Sequence, residues 1–381
     1  MRIRFDNKFS RPSFLEVDLD KLSFNLKNIR SKIGKNVEFM AVVKADGYGH
    51  GAYQVAQTCL ESGIDSLGVA ILEEGIELRE KGIKKKIVNL YPELLGREKY
   101  VVEYGIEQVV TDYDFALNLS KEAKRKNKTA KVYIEVDTGL GRYGLAPEDM
   151  AKLAKRIYGL GNVKLEGIIS QFSNSDAKDK SFAKEQLSIF AKTVNHLESS
   201  GYKIPKKSIA NSGAILDIPE SYFNQIRVGH LLYGLYPSDE TSESVKVKPI
   251  LEWKSKIMFI KEVEKGAPLG YGRSYYTKKK SKIATIPLGY ADGYSRLFSN
   301  KAEVLIHKKR LSVVGRVCMD AFMVDITSIP DAKVGDEVVL IGKQGKEEIS
   351  AHDLGKWTNT FSYEILTRIG KRVPMVYLKK S

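Results

Sequence analysis

Short β-rich runs alternate with longer helical segments up to about residue 245 of the chain. The runs predicted as strands are FMAVVK (39–44), SLGVAI (66–71), KIVNLY (86–91), EQVVT (107–111), KVYIEVDT (131–138), LEGIISQF (165–172), SIANS (208–212) and NQIRVGH (224–230). The segments between them carry apolar residues at helical spacing, and PEDMAKLAKRIYG also has a proline near its start and a glycine at its end. Strands that alternate with helices predict parallel βαβ units. Their number favours an α/β chain with a (β/α)8 TIM-type barrel, and a doubly wound open sheet is the alternative.

The pattern changes at about residue 246, where strand-like runs with glycine turns replace the helical segments. Examples are KIATIPLGYADG, AEVLIHKKRLSVVGRVCMDAFMVDI and GDEVVLIGKQG. A chain of 381 residues is too long for one ordinary core. We therefore predict a barrel of residues 12–245 and a C-terminal all-β domain of residues 246–381, against which residues 1–11 can pack.

Composition argues against several classes of protein. The net charge of +15 suits nucleic-acid binding, but the lysines cluster in short runs between strands, without an RRM, KH or zinc-finger signature. No apolar run is long enough to span a bilayer, and the N-terminal segment lacks the apolar core of a signal peptide. We expect a cytoplasmic protein with no membrane and no nucleic-acid partner, and we keep nucleic-acid binding as an alternative.

Cysteine and histidine usage bears on metal binding. Cys59 and Cys318 are the only cysteines, far apart in sequence, and we expect both to be free thiols. The chain has five histidines and neither a CxxC nor an HExxH pattern, so we expect no metal site.

Lys44 ends the apolar run FMAVVK, although lysine is among the residues least often buried. On a strand, Met40, Val42 and Lys44 would share one face. In a barrel this places the amine inside the C-terminal mouth, where active sites of this fold are built. A partly desolvated lysine there suits covalent attachment of a carbonyl group, and the alternative is a lysine that extends from the rim into solvent.

Other predicted strands end in residues of related chemistry. Arg142 lies just past the fifth strand, the seventh ends at Asn211 and Ser212, and the eighth carries Arg227 before Gly229. Together with Lys44 these groups would meet at one mouth. A lysine, two arginines, a hydroxyl and glycine-flanked amides suit an anionic carbonyl cofactor that bears a phosphate.

The segment AVVKADGYGHG (41–51) resembles the pyridoxal-phosphate lysine motif of alanine racemases. Seven further segments resemble that family in the same order: VDTGLGRYG (136–144), IANSGAIL (209–216), RVGHLLYGLYPS (227–238), LGYGRSY (269–275), IPLGYADGYSR (286–296), VGRVCMD (314–320) and SYEILTRIGKRVPMVY (362–377). The resemblance covers nearly the whole chain, including the β domain that single-domain carriers of the cofactor lack.

The resemblance implies a role for each matched residue. Lys44 would hold pyridoxal phosphate (PLP) and act as one catalytic base, and Tyr271 of a partner subunit would be the second base on the opposite face. Arg227 would face the pyridine nitrogen. Other residues implied to bind the cofactor, mostly around its phosphate, are Tyr48, Asn211, Ser212, Gly229, His230 and Tyr363. Arg142 and the backbone around Met319 would bind the substrate carboxylate, and a gate to the site would be formed by Asp176, Tyr290, Arg296 and Arg316.

Three positions depart from the commoner pattern of the family. Gln171 stands where many members have a histidine that hydrogen-bonds the pyridine-facing arginine, and His230 replaces an apolar residue. Glu135 stands where many members have a lysine that becomes a carbamate. We expect Gln171 and Glu135 to orient the site, with Glu135 buried and partnered by Arg142.

The function expected from the resemblance is interconversion of L-alanine and D-alanine by a homodimer with shared active sites, supplying D-alanine for peptidoglycan. A racemase of broader specificity, for serine or basic amino acids, is the first alternative. A decarboxylase on the same barrel and a non-catalytic PLP carrier are further alternatives.

Overall fold

The computed structural model describes residues 2–5 and 11–380. Within them the chain divides into two compact units. One unit comprises Lys21–Gly47 and Ala52–Lys248. The other comprises Tyr48–Gly51, the chain from Pro249 onward and the described residues up to Asp20.

Parallel strands form a nearly closed barrel in the first unit. Among the described residues its eight strands follow one another around the sheet in chain order: Glu38–Val42, Ser66–Val69, Ile87–Asn89, Glu107–Val110, Ala130–Glu135, Val163–Ile169, Lys206–Ser208 and Gln225–Val228. The eighth strand pairs with the first, so that Arg227 lies beside Met40. Across the remaining seam the Arg227 amide donates a hydrogen bond to the Ala210 carbonyl at 3.0 Å. This order confirms the predicted (β/α)8 barrel, and the doubly wound alternative is wrong.

Helices alternate with the barrel strands: Leu19–Ile33, Ala52–Glu61, Leu72–Glu80, Glu98–Tyr104, Tyr113–Arg125, Met150–Tyr158, Ser181–Ser199 and Ser212–Asp217. Met150–Tyr158 shows why such segments are helical. Its buried residues, Met150, Leu153, Ala154 and Ile157, recur at the spacing of one helical face, and Gly159 follows the last turn. None of the helices in the described residues is long and apolar enough to cross a membrane.

Side chains from five strands fill the barrel interior. Met40, Val88, Val109, Tyr133 and Ile169 form one buried cluster. Because they come from different strands and meet inside the sheet, the interior is a packed core and not a pore. Polar residues further along the same strands therefore lie above this core, at the C-terminal mouth.

The second unit is built on a large, mostly antiparallel sheet. In the described part of the chain its strands are Arg2–Phe5, Phe14–Asp18, Leu251–Lys256, Phe259–Val263, Ser281–Ile286, Glu303–Ile306, Lys309–Val314, Phe322–Asp325, Glu337–Gln344, Glu347–Ile349 and Met375–Lys380. A hairpin pairs Pro268–Leu269 with Tyr275–Tyr276. The sheet confirms the predicted β architecture, although two short helices, Ala351–Thr358 and Ser362–Thr367, were not predicted from the sequence.

The N-terminal strand is placed differently from the sequence prediction, which assigned residues from 12 onward to the barrel. Phe14–Asp18 pairs antiparallel with Leu251–Lys256 and parallel with Met375–Lys380. Its alternate residues Leu15 and Val17 are fully buried. A central strand needs hydrogen-bond partners on both edges, and for this segment both partners come from the C-terminal part of the chain.

Candidate active site

Lys44 begins a short helix, Lys44–Gly49, two residues after the first barrel strand ends at Val42. The predicted strand therefore ends earlier than residue 44. From Ala45 to Gly49 every residue has a positive φ, between 50° and 79°. Left-handed backbone costs L-residues roughly 1–2 kcal/mol each, so the surrounding structure must hold this turn in place.

Three hydrogen bonds stabilise the left-handed turn. The Gly47 amide donates to the carbonyl of Val43 at 2.9 Å. The Ala45 amide donates to a carboxylate oxygen of Glu74 at 2.6 Å, and the Ala52 amide donates to the carboxylate of Asp46 at 2.8 Å. The turn directs the chain away from the strand, and the side chain of Lys44 stays half-buried at the mouth.

The amine of Lys44 donates a hydrogen bond to the hydroxyl of Tyr91 at 3.1 Å. The guanidinium carbon of Arg142 lies 4.9 Å from the centre of the Tyr91 ring and 5.7 Å from that of Tyr143. Both distances are within the range of cation–π contacts. Tyr91 was not predicted as a site residue. Its position as the last residue of the strand-like run KIVNLY could have indicated that it lies at the mouth.

Asp137 shapes the loop that carries Arg142. Its carboxylate accepts hydrogen bonds from the amides of Gly139, Leu140 and Gly141 at 2.9–3.1 Å. Gly144 closes the loop with a φ of +99°, and a Cβ there would lie 2.7 Å from the Asp137 amide nitrogen. The loop is therefore held by its own backbone, and it presents Arg142 as an exposed side chain at the rim.

The buried guanidinium of Arg227 donates hydrogen bonds to oxygens of three neighbouring residues. One guanidinium nitrogen donates to the carbonyl (2.6 Å) and the hydroxyl (2.9 Å) of Ser208. The other donates to the Ser170 carbonyl (2.5 Å) and to Oε1 of Gln171 (3.0 Å), which is the contact expected for Gln171. Burial lowers the pKa of Arg227 to about 10, although the nearby carboxylate of Glu135 opposes this shift.

Glu135 ends the fifth barrel strand and is 5 % exposed. Burial raises its pKa to about 7, against the opposing attraction of Arg227 and Arg142. Its Oε2 atom has no hydrogen-bond partner among the described residues. The expected burial is therefore present, but in the described part of the chain Glu135 and Arg142 form no direct ion pair, and they interact only over a longer distance.

Ser212 and Gly229 lie together at the ends of the seventh and eighth strands. The buried hydroxyl of Ser212 accepts hydrogen bonds from the amides of Gly229 (3.2 Å) and Leu231 (3.4 Å). Asn211 caps the helix Ser212–Asp217 by accepting from the Ala214 amide at 3.1 Å. These bonds place a hydroxyl and backbone amides in one small region of the mouth.

Two further predicted residues lie beside this region. His230 is half-buried and begins the short helix His230–Tyr233. Asp176 is half-buried and follows Ser175, whose hydroxyl donates to Asn211 at 2.7 Å. The barrel unit therefore brings together the predicted residues of its own strand ends.

Tyr271 lies in the second unit and is 72 % exposed. Gly270 and Gly272 flank it with φ values of +74° and +68°. A Cβ on Gly272 would lie 2.8 Å from a guanidinium nitrogen of Arg316. Arg316 therefore packs directly against the turn that presents Tyr271.

Tyr290 and Met319 belong to two loops that are hydrogen-bonded to each other. The Tyr290 amide donates to the carbonyl of Cys318, and the Ala291 amide donates to that of Met319, both at 3.0 Å. Gly289 permits this approach, since a Cβ there would lie 2.3 Å from the Cys318 oxygen. Tyr290 and Met319 are exposed, as is Arg296, which the sequence predicted as part of a gate. Cys318 is a free thiol whose pKa burial raises.

Tyr48 and Tyr363 come from neighbouring segments of the second unit. Gly49 packs against the helix Ser362–Thr367 so closely that a Cβ would lie 2.3 Å from the carbonyl oxygen of Leu366. The ring Nδ1 of buried His50 lies 2.9 Å from the carbonyl of Tyr48. These contacts position the two tyrosines, both half-buried.

Comparison with known proteins places the whole chain in one family. Residues 17–237 match the family model "Alanine racemase, N-terminal domain", and residues 250–377 match "Alanine racemase, C-terminal domain". The alanine racemase of Halothermothrix orenii is 42% identical over 375 residues, which cover 98% of this chain and 99% of that protein.

Solved structures agree with the sequence comparison. The alanine racemase of Clostridium difficile 630 superposes with a TM-score of 0.94 at 36% identity, covering 98% of both chains. The alanine racemase of Bartonella henselae, crystallised with covalently bound pyridoxal phosphate, superposes with a TM-score of 0.86 at 29% identity, covering 96% of this chain and 99% of that one. Family models over both units and identity over nearly the full length show that this chain belongs to the alanine racemase family.

Proposed function

We propose that the protein is a PLP-dependent isomerase, an alanine racemase that interconverts L-alanine and D-alanine. The observation that carries this proposal is the position of Lys44. Its amine lies at the mouth of the barrel, held by Tyr91, in a chain that matches alanine racemases across both of its units. Racemisation needs a group that can remove the proton from Cα, and an amine in this position can accept it.

Residues of the barrel mouth, with two tyrosines of the second unit, fit pyridoxal phosphate by their chemistry. Lys44 supplies the amine for covalent attachment, and Arg227 supplies a buried cation for the pyridine nitrogen. Groups suited to the phosphate are the side chains of Tyr48, Ser212 and Tyr363 and the amides of Gly229 and His230, with Asn211 capping the helix that begins at Ser212. When bound, the cofactor withdraws electrons from Cα and so acidifies its proton.

Arg227 is suited to leave the pyridine nitrogen unprotonated. An arginine donates hydrogen bonds but does not readily give up a proton. Its other partners are the oxygens of Ser170, Ser208 and Gln171, all of which accept. Gln171 holds the guanidinium as an acceptor, and unlike a histidine it has no charge to gain. We propose that this arrangement limits the cofactor's electron withdrawal and favours return of the proton over side reactions.

We further propose a homodimer in which Tyr271 of one subunit serves the site of the other. A two-base racemisation needs proton donors and acceptors on opposite faces of Cα, and Lys44 supplies one of them. Tyr271 is a 72 % exposed residue on a turn held by glycines and by Arg316, so its hydroxyl is available to a second copy of the chain.

The substrate is an amino acid with a small side chain. Arg142 at the rim and the backbone around Met319 would bind the carboxylate. Tyr290 and Tyr363, with Asp176, Arg296 and Arg316 further out, would narrow the access route. Rigid aromatic rings exclude long side chains, whereas a small pocket rejects an added hydroxyl poorly. We expect alanine to be racemised fastest, serine more slowly, and lysine and arginine at negligible rates; faster turnover of lysine than of alanine would favour the broader-specificity racemase instead.

Cofactor binding and its site of attachment test the proposal. The purified full-length protein should be yellow, and borohydride should fix PLP to the peptide that contains Lys44. Lys44→Ala should take up no fixed label, whereas Lys99→Ala, a change on the surface helix Glu98–Tyr104, should label normally. A colourless protein that takes up no PLP would overturn the assignment and favour the nucleic-acid alternative. Label on another lysine would also overturn it and would favour the PLP-carrier alternative.

In the cell, an enzyme of this kind would supply D-alanine for peptidoglycan, and we propose that it acts in the cytoplasm. Two free cysteines are consistent with a reducing compartment. A non-catalytic PLP carrier needs neither the second unit nor an exposed Tyr271, so the two-unit chain favours the racemase.

A further inference from the structure

Tyr91 follows the third barrel strand, Ile87–Asn89, by two residues and reaches the same mouth as Lys44. It contacts the two charged residues to which the proposed function gives different tasks. Its hydroxyl binds the Lys44 amine, and its ring lies beside the guanidinium of Arg142.

The two contacts of Tyr91 differ in kind. The Lys44 nitrogen is 3.1 Å from the hydroxyl oxygen but 5.2 Å from the ring centre, so the contact is a hydrogen bond at the polar end of the residue. The guanidinium carbon of Arg142 is 4.9 Å from the ring centre, which is the distance of a cation–π contact. A substitution can therefore remove the hydroxyl and leave the ring in place.

The backbone of Tyr91 is anchored from inside the barrel. Gln108, which is fully buried, donates from Nε2 to the Tyr91 carbonyl at 2.7 Å. The Gln108 oxygen accepts from buried Asn89 at 3.0 Å, and Asn89 also donates to Glu93 at 2.9 Å. A buried amide pair holds the residue in place because leaving such groups unpaired is costly. On its outer side the Tyr91 ring packs on Tyr143, with ring centres 5.1 Å apart.

We propose that Tyr91 is a positioning residue of the racemase, which sets the separation between the Lys44 amine and the Arg142 guanidinium. This inference rests on the proposed function, in which one of these groups moves the Cα proton and the other binds the carboxylate. The hydroxyl orients the free amine, the form of Lys44 that accepts a proton. The ring confines Arg142, whose loop is otherwise exposed at the rim.

Two substitutions separate these roles. Tyr91→Phe keeps the ring and removes the hydroxyl, so kcat should fall about tenfold with KM nearly unchanged, which corresponds to loss of one hydrogen bond to the free amine. Tyr91→Leu removes both, so kcat should fall similarly and KM should also rise roughly threefold, as expected for loss of a cation–π contact. A merely structural role would lower activity without this split between kcat and KM.

A binding measurement provides a second readout that does not depend on turnover. Propionate has the carboxylate and methyl group of alanine but no amine. Calorimetric titration of the full-length protein with propionate should show roughly threefold weaker binding for Tyr91→Leu and wild-type binding for Tyr91→Phe. Tyr100→Phe and Tyr100→Leu are matched controls, because Tyr100 lies on a surface helix and its ring contacts the amine of Lys99.

The outcomes distinguish this inference from the proposed function. If wild-type protein holds PLP and racemises alanine while the Tyr91 variants match the Tyr100 controls, Tyr91 has no positioning role and the racemase assignment stands. If wild-type protein neither holds PLP nor racemises alanine, the proposed function is wrong, and the positioning role of Tyr91 fails with it. If Tyr91→Leu fails to fold, Tyr91→Phe alone decides, since a wild-type kcat in that variant contradicts the proposal.

Discussion

Glu135 and Asp292 are buried carboxylates whose pKa values shift in opposite directions on folding. Burial raises the pKa of Glu135 to about 7, because its two arginine neighbours do not pair with it directly. Burial also acts to raise the pKa of Asp292, but the guanidinium of Arg11 and the Gly289 amide outweigh burial and lower it. Arg11 binds Asp292 through both oxygens, at 2.7 and 2.9 Å. Near neutral pH, therefore, Glu135 is only partly ionised and Asp292 is an anion.

The first prediction concerns Glu135→Gln, which keeps the shape and removes the charge. A carboxyl whose pKa rises on folding contributes stability that is present below its unfolded pKa and lost as pH rises through the folded value. As pH rises from the ordinary glutamate pKa of 4.5 to about 7, wild-type protein should therefore lose stability relative to Glu135→Gln. The change should be on the order of 3 kcal/mol. Urea unfolding of cofactor-free protein at pH 5 and pH 8 measures it.

Asp292→Asn is a control for which the pH dependence of stability should have the opposite sign. Because the pKa of Asp292 is lowered on folding, the stability it contributes is present above its unfolded pKa and is lost as pH falls. Asp292→Asn should therefore destabilise the protein at pH 8, by roughly 3 kcal/mol for a broken buried pair, and by less at acid pH. Parallel pH dependence in the two variants would contradict the assignment of opposite shifts.

The kinetic effect of Glu135 is a second prediction at this scale. If its charge helps to orient Arg142 through the interior, Glu135→Ala should raise KM or lower kcat/KM for alanine, and Glu135→Gln should be milder because it fills the same space. Wild-type activity should not depend on added bicarbonate, since a glutamate needs no modification to become an anion. A fully active Glu135→Ala enzyme would show that the residue does not orient the site.

At the scale of elements, the left-handed turn after the first barrel strand is the most constrained segment near the candidate site. Its residues tolerate positive φ only while neighbouring groups hold them there. Two separate features exclude a side chain at Gly49. Its φ is +79°, and a Cβ there would lie 2.3 Å from the backbone oxygen of Leu366. Glycine is required at Gly49 for both conformation and space.

The third prediction compares Gly49→Ala with Gly63→Ala. Gly63 has nearly the same φ, +78°, but nothing lies within 4 Å of a Cβ built there. Gly63→Ala should cost about 1–2 kcal/mol for left-handed backbone alone. Gly49→Ala should cost clearly more and should also lower retention of PLP, because it displaces the turn between Lys44 and Tyr48. Urea unfolding and absorbance of the purified variants measure the two effects; equal stability losses would show that the Leu366 contact imposes no constraint.

At the scale of the whole molecule, the predicted catalytic residues lie in different units. Lys44 belongs to the barrel unit, and Tyr271 is exposed on the second. A side chain that acts in the site of a second copy of the chain has to extend from the surface of its own subunit. The exposure of Tyr271 is therefore consistent with a site completed between subunits.

The fourth prediction tests this shared site by mixing subunits. Lys44→Ala and Tyr271→Phe should each be nearly inactive alone. After unfolding and refolding together they should recover up to about a quarter of wild-type activity, since a mixed dimer contains one site with both bases and random mixing makes about half of the dimers mixed. Racemisation assays before and after mixing measure the recovery. No recovery, with subunit exchange proven by tagged chains, would count against a site shared between subunits.

Much of the fold can be read from local patterns. The period of apolar residues distinguishes strand from helix over a few residues, so the order of eight βα units and the later β-rich region followed from the sequence. Residues at strand ends, such as Lys44, Arg227 and Ser212, followed as well, because consecutive parallel strands of a barrel bring their C-terminal ends to one mouth. These inferences depend only on backbone geometry between near neighbours.

Other features depend on residues that are distant in sequence. The N-terminal strand Phe14–Asp18 belongs to the second unit. The sequence did not show this, because the strands that pair with it lie more than 200 residues away along the chain. The hydrogen bond of the Tyr91 hydroxyl with Lys44 also depends on residues from different strands. So does the burial of Glu135, whose Oε2 atom has no hydrogen-bond partner among the described residues. Hydrogen bonds and pKa values are set by distance and by exclusion of water, and only the folded arrangement of the barrel determines both.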